Sequence, residues 1–124
     1  MAGMILSIPD HSVELAQLTP ILVLRAGSDF EVQVESIVKI RSPDQAVHSY
    51  QVGELPEEIG RQLTGKVREA QTTDDGGLRL EFESGWSAEA VADADYEAWN
   101  VVGTRGFRVV CMPGGELAVW HADE

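Results

Sequence analysis

Three things are scarce in this sequence: cysteine, positive charge and long apolar runs. Cys111 is the single cysteine. An intramolecular disulfide is therefore impossible, and a zinc site would have to be built from other ligands. No apolar stretch approaches the ~18 residues that a membrane-crossing helix needs. The segment Met1 to Asp10 lacks the basic n-region and long apolar core of a secretory signal, so a cytoplasmic protein is expected. Lys and Arg number 9 against 21 Asp and Glu in 124 residues, a net charge of −12, and the only lysines are Lys39 and Lys66. Binding to nucleic acid or to an anionic membrane draws on Lys and Arg, so neither partner is expected.

Catalytic signatures are scarce as well. There is no G-x-G-x-x-G, no P-loop, no G-x-S-x-G elbow and no H-E-x-x-H. His11, His48 and His121 are scattered. A Cys111–His pair is the one thiol-nucleophile option, and it is weak, because Cys111 lies among Val109, Val110 and Met112, where a thiol is buried and inert. No cofactor and no enzymatic activity are expected, although a glycosidase-like pair of carboxylates stays open among so many acids.

What is present is a globular composition, 44% hydrophobic and 24% charged. The length suits one domain, residues 1–124. Its apolar period is two almost throughout, the period of strands. Leu78, Leu80 and Phe82 alternate with Arg79, Glu81 and Glu83, and Trp86, Ala88 and Ala90 follow. A three-residue loop, Glu83-Ser84-Gly85, sets Phe82 opposite Trp86, Leu80 opposite Ala88 and Leu78 opposite Ala90, so that all six share a face. Earlier in the chain, Leu22, Leu24 and Ala26 lead through Gly27-Ser28-Asp29 to Phe30, Val32 and Val34 in the same way. The segments before the two hairpins, Val13 to Thr19 and Val67 to Thr73, share V-x-x-A-Q-x-T. Two related three-strand meanders are predicted.

The expected architecture is mainly β (α+β). An antiparallel sheet combines the two pseudo-repeated meanders, residues 11–41 and 66–92, with C-terminal strands over 97–121. The segment 42–65 carries a surface loop, a possible strand at Val47 to Val52, and one short helix packed on the sheet. That helix is marked by Pro56 at its first position, by Glu57 and Glu58 near its N-terminus, and by a stripe of Leu55, Ile59 and Leu63, with Gly65 as its cap. In the C-terminal strands Phe107, Val109 and Cys111 share one face, and Val110 and Met112 the other. Both faces are mostly apolar. Either both are covered, with the helix as a candidate cover for one, or one is an exposed patch available to a partner.

Leu78-Arg79-Leu80-Glu81-Phe82, Asp93-Ala94-Asp95-Tyr96-Glu97-Ala98-Trp99 and Pro113-Gly114-Gly115-Glu116-Leu117-Ala118-Val119-Trp120 form a recognisable series. It resembles the signature of a family of small bacterial proteins, mainly actinobacterial, that carries a domain of unknown function, DUF6188. There a hairpin is followed by a D-x-x-Y-E-x-W element, a glycine turn and a P-G-G-x-L-A-V-W ending. The likeness is strongest over about the last 50 residues. It supports the fold and implies no catalytic residue.

Asp93, Asp95 and Glu97 alternate. On a strand they would point one way and could hold Ca²⁺ or Mg²⁺, yet Ala98 stands where an EF-hand needs glycine, and a solvated acidic edge is the favoured reading. Alternatively Asp93 or Asp95 caps a turn, with Tyr96 and Trp99 anchoring the chain after it. Of the three tryptophans Trp86, Trp99 and Trp120, one left exposed beside carboxylates would be a binding hot spot. The functional expectation is an acidic, non-enzymatic protein-binding module, such as an immunity protein that neutralises a basic toxin. Its contacts would lie at Asp74, Asp75, Asp93, Asp95, Glu97 and Trp99. The alternatives are a homo-oligomeric accessory domain, dimerising through the C-terminal strands, and a small-ligand binder or enzyme of unrecognised type.

Overall fold

A computed structural model describes residues 3–122. Strands β1 (Ser12–Gln17), β2 (Leu22–Ala26), β3 (Phe30–Val34), β4 (Ile37–Arg41) and β5 (Val47–Gln51) precede the helical turn α1 (Glu57–Gly60). Strands β6 (Gly65–Thr72), β7 (Leu78–Phe82), β8 (Ser87–Ala90), β9 (Trp99–Val102), β10 (Arg108–Cys111) and β11 (Leu117–Trp120) follow. They form one antiparallel sheet in the order β11-β10-β9-β3-β2-β1-β6-β7-β8-β4-β5.

Both predicted hairpins form in the predicted register. Leu22 faces Val34, Leu24 faces Val32 and Ala26 faces Phe30. Leu78 faces Ala90 and Leu80 faces Ala88, and the Phe82 amide donates to the Trp86 carbonyl at 2.9 Å. The loops close where Gly27 (φ 64°) and Gly85 (φ 101°) supply a left-handed residue. The shared V-x-x-A-Q-x-T identities, in contrast, are not structurally equivalent. β1 bulges between Leu15 and Gln17, which leaves Ala16 exposed as the extra residue. β6 bulges earlier, between Val67 and Glu69, so Ala70 is buried opposite Leu80.

The two meanders meet through a short β1–β6 pairing, Ser12 with Lys66 and Val13 with Gly65. The sheet is then completed by exchange. After β3 the chain crosses to the second meander and adds the β4–β5 hairpin to β8, with Val38 opposite Ala90. After β8 it crosses back and adds β9 and β10 to β3, with Trp99 opposite Val34 and Val101 opposite Val32. The two crossovers touch. The Glu35 amide donates to the Ala98 carbonyl at 2.8 Å, the Val91 amide to the Ile37 carbonyl at 2.9 Å, and the Ser36 hydroxyl to the Val91 carbonyl at 2.9 Å.

The inward faces of both halves share one hydrophobic core. Val32, Val101 and Val109 from one half and Val38, Leu80 and Phe82 from the other are buried in it. Each such side chain contributes about 1.5–3 kcal/mol relative to exposure. The predicted stripe is buried as expected, Leu55 and Leu63 fully and Ile59 in part. The helix itself is a single turn. Pro56 stays extended (ψ 141°) just before it, and Gly65 opens β6 instead of capping the helix. A Cβ on Gly60 would come within 2.6 Å of Leu18 Cδ1, which places the turn against the end of β1 and not over the C-terminal strands.

Those C-terminal strands carry buried residues on both faces, Val101, Val109 and Cys111 on the inward one and Asn100 and Val110 on the other. Outward, Val23, Gln33, Asn100, Val110 and Ala118 form a cross-strand row. In it the Asn100 side-chain Nδ2 donates to Gln33 Oε1 at 3.4 Å, and the Gln33 side-chain Nε2 donates to Glu31 Oε2 at 2.9 Å. β11 is an edge strand. Its Trp120 is 52% exposed, with the Arg108 guanidinium 5.9 Å from the ring centroid.

Candidate functional site

The β6–β7 connection, Thr73 to Gly77, is a tight turn. The Thr73 amide donates to the Gly77 carbonyl at 2.9 Å, and the Gly77 amide donates to Thr73 Oγ1 at 2.9 Å. The Thr73 hydroxyl also donates to Asp75, and this bond foremost holds the Asp75 carboxyl below its ordinary pKa. Gly76 lies at φ 88°, and a Cβ there would sit 2.3 Å from the Gly115 carbonyl oxygen. Only glycine permits this approach of two backbones.

The second turn is Pro113-Gly114-Gly115, between β10 and β11. The Met112 amide closes it onto the Glu116 carbonyl at 2.7 Å. The Gly114 amide donates to the Asp93 carbonyl at 2.8 Å. The glycine turn is thus clasped between Gly76 on one side and Asp93 on the other. Two acidic loops that lie far apart in sequence become neighbours across it.

Residues 91–98 are a loop and not a strand, so Asp93, Asp95 and Glu97 do not line up on one side. Asp93 Oδ1 accepts the amides of Asp95 at 2.8 Å and Tyr96 at 3.1 Å. A short acidic side chain offers the backbone this local partner, and the offer outcompetes strand pairing. The turn-capping alternative therefore describes Asp93. It fails for Tyr96, which is 73% exposed and anchors nothing.

Trp99 requires the opposite correction. It was expected among the contact residues, and it is fully buried. Its indole Nε1 donates to the Gly76 carbonyl at 2.9 Å, and the Cys111 thiol lies 3.3 Å from the same oxygen. Trp99 therefore begins β9, fills the core and pins the Asp74–Asp75 turn in place. Its position opposite Val34 on a strand that enters the sheet interior explains the burial. Asp74, Asp75, Asp95 and Glu97 are exposed and Asp93 is partly buried, with exposed Glu116 beside them on the glycine turn. Sequence reasoning missed Tyr96 and Glu116 as surface groups. The signal for Tyr96 was present: it is flanked by Asp95 and Glu97, a setting unsuited to a core anchor.

Among the described residues no three His, Cys, Asp or Glu side chains converge as a metal site. Cys111 is buried, and burial foremost pushes its thiol pKa up, which makes it a poor nucleophile. His121 lines a groove with Met4, Ile5 and Phe107 near the N-terminal segment. The arrangement is suited to presenting negative charge and one aromatic ring on a fixed scaffold.

A family model described as "Family of unknown function (DUF6188)" matches residues 4–121. The chain belongs to this DUF6188 family. The match spans both meanders and both crossovers, and not only the C-terminal signature. No curated protein and no solved structure matches the chain.

Proposed function

We propose that this DUF6188 member is a non-enzymatic protein-binding module whose acidic end docks on a basic protein surface, as an immunity protein does when it neutralises a basic toxin. The observation that carries this reading is the clasp at Gly114. It unites Asp74–Asp75 with the Asp93–Glu97 loop and leaves Tyr96 73% exposed beside them. Tyrosine is a frequent hot spot at interfaces, and surrounding carboxylates steer a cationic partner and set its orientation. Nuclease toxins are basic because their substrate is anionic, which makes them fitting targets. A reducing, cytoplasmic setting suits the free Cys111 thiol.

The experiment is binding to the product of the adjacent reading frame, the candidate toxin, measured by titration calorimetry and stopped flow. Tyr96→Ala should weaken binding about 30-fold, the effect of losing a hot spot of ~2 kcal/mol. Asp74→Asn with Asp95→Asn should slow association at low salt and blunt its salt dependence. Unchanged binding in both variants overturns the assignment of this surface.

A second reading rests on the edge strand β11. Val119 (36% exposed) and Trp120 (52%) lie on it, and Ile5 (73%) on the nearby N-terminal segment, as apolar groups open to solvent. A homodimer formed through this edge would bury them. A concentration-independent monomer mass in sedimentation equilibrium rules it out.

A further inference from the structure

The chain is strongly acidic, yet four of its nine cations line one concavity. Lys39, Arg41, Arg68 and Arg79 surround a space of about 320 Å³ on the outward face of β4, β8, β7 and β6. Strand register explains the gathering. Lys39, Glu89 and Arg79 lie side by side in one cross-strand row, and Arg41, Ser87 and Glu81 in the next. Arg68 enters from the bulge between Val67 and Glu69. In the first row two cations flank a single carboxylate, with Arg79 Nε 3.5 Å from Glu89 Oε1. In the second row Arg41 faces the neutral Ser87 and donates to Gln45 Oε1 at 3.2 Å. The carboxylates of the lining, Glu81 and Glu89, leave an excess of two positive charges.

The walls are built. The 42–46 loop closes on itself through the Ser42 amide to the Ala46 carbonyl at 3.0 Å and the Gln45 amide to the Ser42 carbonyl at 2.8 Å. It holds Gln45 at φ 74°. Pro43 packs against Gly85, where an added Cβ would lie 3.3 Å from Pro43 Cβ. Trp86 completes the lining beside Ser87. The cations outnumber the carboxylates inside a recess of the size that takes small ligands.

We infer that this concavity binds a small oxyanion carrying two negative charges. Guanidinium groups match the paired oxygens of a phosphate or a carboxylate, and two charges balance the excess. The site lies on the charged outward face of the second half, and its test spares every residue of the acidic end, so the two assignments stand or fall separately.

The test is an amide-resolved NMR titration of the full chain, once with inorganic phosphate and once with succinate, at ionic strength held constant with sodium chloride. Saturable shifts are expected at Lys39, Arg41, Arg79 and Ser87, with a midpoint on the order of 1 mM. Saturation by phosphate alone assigns a phosphate ligand, and saturation by succinate alone a dicarboxylate. Arg41→Gln with Arg68→Gln should weaken the response about tenfold, the loss of charge-assisted bonds. Arg108→Gln, on the other half, should leave it unchanged. Both positions of the double variant are exposed, and Arg68→Gln alone replaces it if its melting temperature falls. No saturable shift with either anion, a response reproduced by chloride, or equal binding by the Arg68 variant overturns the inference.

Discussion

The two crossovers make the same move with different lengths of chain. Glu35 and Ser36 take β3 to β4 in two residues, whereas Val91 to Ala98 take β8 to β9 in eight. The short crossover is spent on geometry: its Glu35 amide and Ser36 hydroxyl both bond to the long one. The long crossover has residues to spare, and they carry Asp93, Asp95, Tyr96 and Glu97 outward. A pseudo-symmetric scaffold thus gains a distinct surface at the place where its halves differ in length. Loops on a rigid sheet carry such surfaces at low cost to the core.

The sharpest way to break this contrast is to unpin the acidic end from beneath. Trp99→Ala should cost about 3–5 kcal/mol in urea unfolding, the loss of a fully buried indole. Gly76→Ala comes next, since its methyl would press on the Gly115 carbonyl and its φ is positive. A loss of more than ~1 kcal/mol is expected, with amide exchange quickening in both turns. Asp93→Ala and Ser36→Ala compare the crossovers directly. Asp93→Ala removes two backbone caps from the long one and should cost about 1–2 kcal/mol, with faster exchange confined to residues 94–97. Ser36→Ala should cost about 0.5–1.5 kcal/mol and loosen the junction of both. Tyr96→Ala should move stability by no more than about 0.5 kcal/mol, because the ring supports nothing beneath it.

The smallest effect is on acid stability. The Asp75 carboxyl is held below its ordinary pKa of 3.8 by its bond from Thr73. Its contribution is therefore present above that unfolded value and lost as pH falls through the lowered folded one. Asp75→Asn should lower the neutral plateau of a melting-temperature profile slightly and flatten its acid limb, with the difference from the parent vanishing below the folded pKa.

Which parts were legible follows from where the information lies. The hairpins were readable because Leu78, Leu80 and Phe82 must face Trp86, Ala88 and Ala90 for the apolar groups to share a side, and a three-residue loop is the connection that achieves it. The exchange of β4–β5 and β9–β10 left no such mark. A strand that is apolar on its inward side fits the free edge of either meander, and no local pattern says which. In the acidic stretch, D-A-D-Y-E alternates like a strand. One carboxylate on Asp93 captures two amides and ends that resemblance, so the aromatic that reaches the surface is Tyr96 and the one that reaches the core is Trp99. The basic concavity was hidden for the same reason as the exchange: Lys39 and Arg41 meet Arg68 and Arg79 only because β4 leaves its own meander for the other.

That exchange also sets an order of events during synthesis. As the chain leaves the ribosome, β3 emerges early with one edge open, and its partner β9 is made only some seventy residues later. The β4–β5 hairpin likewise waits for β8. Neither half can complete its sheet from its own segment, so the nascent protein has no finished half-molecule in which to rest. Its open edges close in a late step, when the last strands arrive, and until then they are templates for pairing with the wrong chain.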